Sequence, residues 1–178
     1  REENIDKEVV TMVTQVIVNK DDPSFQDPTK FVGKRYSFKE AEELARNMGW
    51  DIKEQEAGQW RRVVPSPDPE FVMHGHSIRT LVESGTIVIA AGGGGIPVYN
   101  TEDNKLKGID SVVDKDLSAA KLGRVIRAQE YYIITDIDQV YKNFNTPEQS
   151  PIRQMTDKEA KKLQDDGHFQ QGSMWPKI

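Results

Sequence analysis

The stretch Thr86-Ile87-Val88-Ile89-Ala90-Ala91-Gly92-Gly93-Gly94-Gly95-Ile96-Pro97 decides how the chain is read: an unbroken apolar run followed at once by four glycines. A short continuous run of this kind reads as a strand buried on both faces, the habit of parallel sheets. In such sheets ligands bind beyond the carboxyl ends of the strands. Glycine takes up positive φ and lets backbone N–H groups approach an anion closely. Gly92, Gly93, Gly94 and Gly95 therefore suit a phosphate or a carboxylate-like substrate, and equally suit a flexible turn. The spacing matches neither Gly-x-Gly-x-x-Gly opening a helix nor a loop ending in Gly-Lys-Ser/Thr.

Outward from this segment, strand and helix signals alternate. Val9 to Val18 is dense in β-branched residues and reads as one strand, and Tyr131-Tyr132-Ile133-Ile134-Thr135 repeats the buried-strand pattern. Helices are expected around Ile78, Leu81 and Val82 up to Gly85, over Asp116 to Gln129, and from a capping box at Thr156 and Glu159 to Gly167. Such alternation argues for an α/β layer with a mostly parallel sheet. Asp21 to Arg35 carries Pro23, Pro28 and Gly33 and reads as a loop. Ser37 and Glu40 cap a helix with a stripe of Ala41, Leu44, Ala45 and Met48 that Gly49 ends, and Trp60 to Val64 returns as a strand. The prolines at 65, 67 and 69 forbid regular structure there. Residues 21–68 thus read as an inserted subdomain, with 1–20 and 69–178 forming the main domain.

The chain has 178 residues, 36% hydrophobic and 30% charged, enough for one sizeable core. A net charge of −5 gives no support to a nucleic-acid or anionic-membrane partner, since those attract Lys- and Arg-rich surfaces. The absence of cysteine leaves no disulfide framework and makes a reducing cytoplasm the default. No apolar run approaches the roughly 20 residues that span a bilayer. The sequence begins at Arg1 and ends in Pro-Lys-Ile, and reads as a piece of something longer.

Several charged groups suit phosphate chemistry. In Asp114-Lys115-Asp116, Lys115 is fitted to neutralise a transferring phosphoryl group and the neighbouring carboxylate to fix its position. Gly172-Ser173-Met174-Trp175-Pro176-Lys177 is a second Gly-led loop ending in a lysine, and Thr135-Asp136-Ile137-Asp138 suits the border of an ATP site. Lys30, and Arg61 and Arg62 beside Trp60, offer positive charge from the inserted subdomain, as a movable arm would. Each of these also reads as a solvated turn or surface charge. His74, His76 and His168 lack ligand spacing, so a metal site built by protein alone is not expected.

Read in order, Asp27-Pro28-Thr29-Lys30, Trp60-Arg61-Arg62-Val63-Val64-Pro65-Ser66-Pro67, Ala91 to Pro97, Asp114-Lys115-Asp116-Leu117, Thr135 to Asp138 and Gly167-His168-Phe169 through Lys177 resemble the carbamate kinases over nearly the whole chain, as their central and C-terminal part. The resemblance implies the amino-acid-kinase fold, a three-layer α/β/α sandwich around a mainly parallel sheet with a small protruding subdomain, and a cytoplasmic homodimer. It implies reversible phosphoryl transfer between ATP/ADP and carbamate/carbamoyl phosphate, with Mg²⁺ entering on the nucleotide and ATP synthesis in arginine catabolism as the physiological direction. Lys30, Lys115, Asp116 and Lys177 would be catalytic, and Gly92 to Gly95 with Arg61 and Arg62 would bind substrate and phosphate. Thr135, Asp136, Asp138, Tyr141, Gly172, Ser173 and Met174 would border the nucleotide. The family's Gly-Gly-Asn segment and closing helices have no counterpart in these residues, and Trp175 stands where the family usually has a glycine. Two other readings fit the same fold: a non-catalytic nucleotide-binding or regulatory fragment, and an amino-acid kinase with another acceptor.

Overall fold

The computed structural model describes residues 6–169 and 174–178. The chain divides into two compact units, one ending at Gln129 and one running from Glu130 to Ile178.

In the first unit the elements follow as β1 (Val9–Thr11), β2 (Gln15–Val18), a 3₁₀ turn (Pro23–Phe25), β3 (Lys30–Tyr36), α1 (Phe38–Met48), β4 (Asp51–Glu56), β5 (Gln59–Val64), β6 (Pro69–Val72), α2 (Gly75–Glu83), β7 (Ile87–Ile89), β8 (Ile96–Asn100), β9 (Leu106–Gly108) and α3 (Lys115–Ile126). The second unit holds β10 (Val140–Lys142), β11 (Ser150–Ile152), α4 (Asp157–Asp165) and a closing 3₁₀ turn (Trp175–Lys177).

The run from Val9 to Val18 is two strands rather than one. Its first half pairs in parallel with β7, Val9 opposite Ile87 and Thr11 opposite Ile89. Its second half pairs in parallel with β8, Gln15 opposite Ile96 and Ile17 opposite Val98. Between them Thr14 turns its hydroxyl to the Ala91 N–H at 2.9 Å, and its carbonyl accepts the Ile96 N–H at 2.8 Å. One run thus steps from one parallel partner to the next, and the glycines leave the sheet at that step.

Parallel pairing is confined to these two ladders among the described residues. The sheet ordered β6-β2-β8-β9 pairs antiparallel at β6 and at β9, and β3-β5-β4 is antiparallel throughout. Pro69 opens β6, a tolerated place because an edge strand's first residue has no ladder N–H to give; the third proline therefore starts regular structure instead of forbidding it. Val16, Val18, Val72, Ile78, Val113 and Leu122 form the core, where the central sheet meets α2 and α3. β7 is buried on one face only: Val88 packs against this core while Ile87 and Ile89 stay exposed.

β3, β5 and β4 with α1 make a sheet of their own inside the stretch read as an insertion. Residues 30–35, expected as loop, are strand, because Lys30, Phe31 and Val32 find partners in Val64, Val63 and Arg62. The helix is fixed locally. Ser37 and Glu40 exchange capping hydrogen bonds, and Gly49, at φ 66°, ends the helix by donating its N–H to Ala45. Thr156 and Glu159 cap α4 in the same way. The Tyr131 to Thr135 run, expected as a buried strand, forms none; Ile134 is 94% exposed and Tyr132 75%. β-branched composition makes a segment fit a sheet, but a strand exists only where a neighbour supplies the ladder, and here none does among the described residues.

Candidate functional site

The glycine loop is shaped by close backbone approach. A Cβ on Gly94, at φ 132°, would lie 2.1 Å from the Val113 carbonyl oxygen, and one on Gly95, at φ 91°, would lie 2.5 Å from Val16 Cγ2. Neither position accepts a side chain, whereas a Cβ on Gly93 meets nothing within 4 Å. Within the loop the Gly92 N–H donates to Ala90 and the Gly94 N–H to Ala91, both at 2.8 Å. Those two donors turn inward, which leaves the N–H groups of Gly93 and Gly95 as the loop's candidates for a ligand. The loop borders a cleft of about 410 Å³ together with Thr14 and Ser111.

Directly behind the loop lies the start of α3. Asp114 is its N-cap, accepting the Asp116 N–H at 2.9 Å, and the same carboxylate accepts a hydrogen bond from Lys30 Nζ at 2.9 Å. Lys115 reaches Asp116 at 3.2 Å, and Asp116 and Ser118 are buried. Ser118 donates to the Gly94 carbonyl at 2.7 Å, tying the helix to the loop. Burial alone would raise the Asp114 carboxyl, but the Lys30 hydrogen bond, the Asp116 N–H and the charges of Lys30 and Lys115 outweigh it and hold the group below its ordinary value. Lys30, the Lys115–Asp116 pair and the glycine loop, separate in sequence, are thereby linked through Asp114 and Ser118. Those two residues and Thr14 were not among the expected site residues. Asp114 had a local signal, an Asp just before a helix; Ser118 had none, because a helical serine reveals a distant carbonyl partner only in three dimensions.

Arg61 and Arg62 alternate along β5 and are committed to protein partners. Arg61 donates to the Gly33 carbonyl at 2.7 Å and to Gln55 at 3.0 Å. Arg62 pairs with Asp110 at 2.5 Å and lies over the Trp50 ring at 5.1 Å.

In the second unit, Thr135, Asp138, Met174 and Lys177 line a cleft of about 380 Å³. Thr135, Asp136, Tyr141, Phe144, His168, Met174 and Lys177 line a smaller one of about 130 Å³. The Tyr141 hydroxyl donates to the Asp138 carboxylate at 3.1 Å, its ring lies 5.9 Å from that of Phe144, and His168 Nδ1 lies 2.7 Å from Asn143 Oδ1. Apolar walls with a few polar groups are the usual lining of a small-molecule site. Gly172 and Ser173 lie outside the described residues. No three Asp, Glu or His side chains gather as a metal cage among the described residues, and no helix there is long and apolar enough to cross a membrane.

The chain is 47% identical to a carbamate kinase of Pyrococcus horikoshii over all 178 residues, and 44% identical to one of Clostridium perfringens over 174. It covers 56% and 55% of those two proteins, so it spans little more than half the length of the curated relatives it matches. Among solved structures, a carbamate kinase from Giardia lamblia bound to AMP-PNP superposes with a TM-score of 0.82 at 37% identity, over 96% of this chain and 54% of the other. The model of the amino acid kinase family matches residues 2–178. The chain belongs to the amino acid kinase family.

Proposed function

We propose that the protein containing this chain is a carbamate kinase, transferring a phosphoryl group between ATP and carbamate and, in the easy direction, from carbamoyl phosphate to ADP. The observation that carries the reading is the convergence of Lys30, from the antiparallel sheet, on the head of α3 beside Lys115, Asp116 and the glycine loop. A phosphoryl group in flight carries spread negative charge, and its transfer needs aligned reactants and fixed cations more than a side-chain nucleophile. The 44–47% identity to carbamate kinases supports the choice of acceptor.

In this reading a carbamate oxygen attacks the γ-phosphorus of ATP in line, the bond to the β-phosphate oxygen breaks, and ADP departs; the reverse makes ATP. In the first unit Lys30 and Lys115 neutralise charge on the phosphoryl oxygens and Asp116 orients them; in the second unit Lys177 is read as a catalytic cation for phosphate. The N–H groups of Gly93 and Gly95, in the loop that borders the cleft, serve as donors to the substrate. Thr135, Asp136, Asp138, Tyr141 and Met174 border the nucleotide. Mg²⁺ would come bound to the nucleotide's phosphates and would supply further positive charge there. The protein works as a cytoplasmic homodimer, and its place is the arginine catabolism that yields carbamoyl phosphate.

The test is ATP formation from ADP and carbamoyl phosphate with Mg²⁺, in the complete gene product and in the 178-residue chain. Lys115→Ala and Lys177→Ala should each depress turnover far more than thermal stability. Nucleotide binding without turnover in the complete protein would favour a non-catalytic module, and turnover with a different acceptor in competition assays would favour another kinase of the family.

A further inference from the structure

Asp114 is shared by two separate parts of the first unit. One carboxylate oxygen caps α3 through the Asp116 N–H, and the other takes Lys30 Nζ, 84 residues away in sequence, each at 2.9 Å. The Asp114 side chain is 10% exposed and that of Lys30 32%. A lysine ammonium on its four-carbon stem has no preferred direction by itself, and two lysines brought to one phosphate repel each other. A carboxylate that feels both Lys30 and Lys115 removes both difficulties. Through Ser118 the helix it caps is also bound to the Gly94 carbonyl.

We propose that Asp114 is a positioning residue, which holds the Lys30 ammonium at the head of α3 so that Lys30 and Lys115 meet an incoming phosphate together and in register with the glycine loop. The inference rests on the phosphoryl-transfer reading, and adds to it a residue that touches neither substrate nor the reacting atoms. The antiparallel sheet and the loop then act as one unit because a single carboxylate joins them.

Asp114→Asn separates the two duties, since asparagine caps a helix about as well as aspartate but carries no charge to hold an ammonium. In the complete gene product, kcat/KM for ADP and carbamoyl phosphate should fall by about tenfold to a hundredfold, the scale of a misplaced catalytic group. The thermal midpoint should fall only by what the lost charge contributes, whereas Asp114→Ala, which loses the cap as well, should lower it further. In a Lys30→Met background, Asp114→Asn should cost nothing further in kcat/KM. Additive losses would overturn the proposal, as would a rise in kcat/KM on Asp114→Asn, which would mean that Asp114 restrains Lys30 from its work.

A second measurement stands apart from catalysis. The acetylation rate of Lys30 by limiting acetic anhydride, read by peptide mass spectrometry, should increase in Asp114→Asn. An unchanged rate would overturn the positioning role whatever the substrate. Faster labelling in a protein that never turns over carbamoyl phosphate would instead count against the kinase reading alone.

Discussion

Two apolar runs in this chain carry nearly the same signal and meet different fates. Within Thr86 to Ala91, Ile87–Ile89 is held as β7 because the Val9 to Thr11 strand lies alongside it, and the glycines that follow are pinned by Val113, Val16 and Ser118. Tyr131 to Thr135 is just as rich in β-formers, yet it forms no strand and leaves Ile134 almost wholly exposed. The difference teaches that composition selects segments able to join a sheet, while the ladder partner decides whether they do. The site in the first unit depends on the run that found its partner.

Five experiments break or sharpen this comparison. Gly94→Ala should be the most damaging, costing about 3 kcal/mol in chemical denaturation, because the added Cβ meets a backbone oxygen and the φ is unfavourable for any side chain. Gly93→Ala, in open space one residue earlier, should stay within about 0.5 kcal/mol, and equal effects would mean that the loop is not pinned. Next comes Ser118→Ala, expected to cost about 1–3 kcal/mol because it leaves the Gly94 carbonyl without its buried donor.

A smaller effect concerns acid. Asp114 has its folded pKa below the ordinary 3.8, so its contribution to stability is complete above that value and is lost as the pH falls through the lower folded value. The stability gap between the unmodified protein and Asp114→Asn should therefore shrink as the pH drops below 3.8, and a gap that stays constant would contradict the ion pair. The smallest effect belongs to the run without a partner: Ile134→Ser should change stability by no more than about 0.5 kcal/mol. A loss above about 2 kcal/mol in the complete gene product would mean that the 131–135 run is buried there after all.

Local signals were the legible part of the fold. The capping boxes at Ser37 and Thr156, the stop at Gly49 and the helix after Asp114 each lie within a few residues of their cause, and each is where the sequence places it. β4 was not legible, since Asp-Ile-Lys-Glu-Gln-Glu has almost no apolar face and owes its strand to the pairing of Asp51 with Val63 and Glu54 with Trp60. The step between β1 and β2 escaped for a related reason: Thr14 is as good a β-former as its neighbours, and only the change of partner shows the break. At the site, Lys30, Lys115 and Asp116 were legible as residues but not as a constellation. Their link runs through Asp114 and Ser118, and those contacts span 84 and 24 residues.

The sheet of β3, β5 and β4 also determines what light can report about this protein. Of the three tryptophans, Trp60 stands against Phe38 with ring centroids 5.0 Å apart, Trp50 lies under the Arg62 guanidinium, and Trp175 sits in the closing 3₁₀ turn. The core around Val16 and Ile78 contains none. Tryptophan emission is consequently blind to that core, and a fluorescence melt follows the β3-β5-β4 sheet and the closing turn while far-ultraviolet dichroism follows the whole chain. With Trp175→Phe the emission reports that sheet alone, and a curve that then separates from the dichroism shows the sheet and the rest of the chain melting apart.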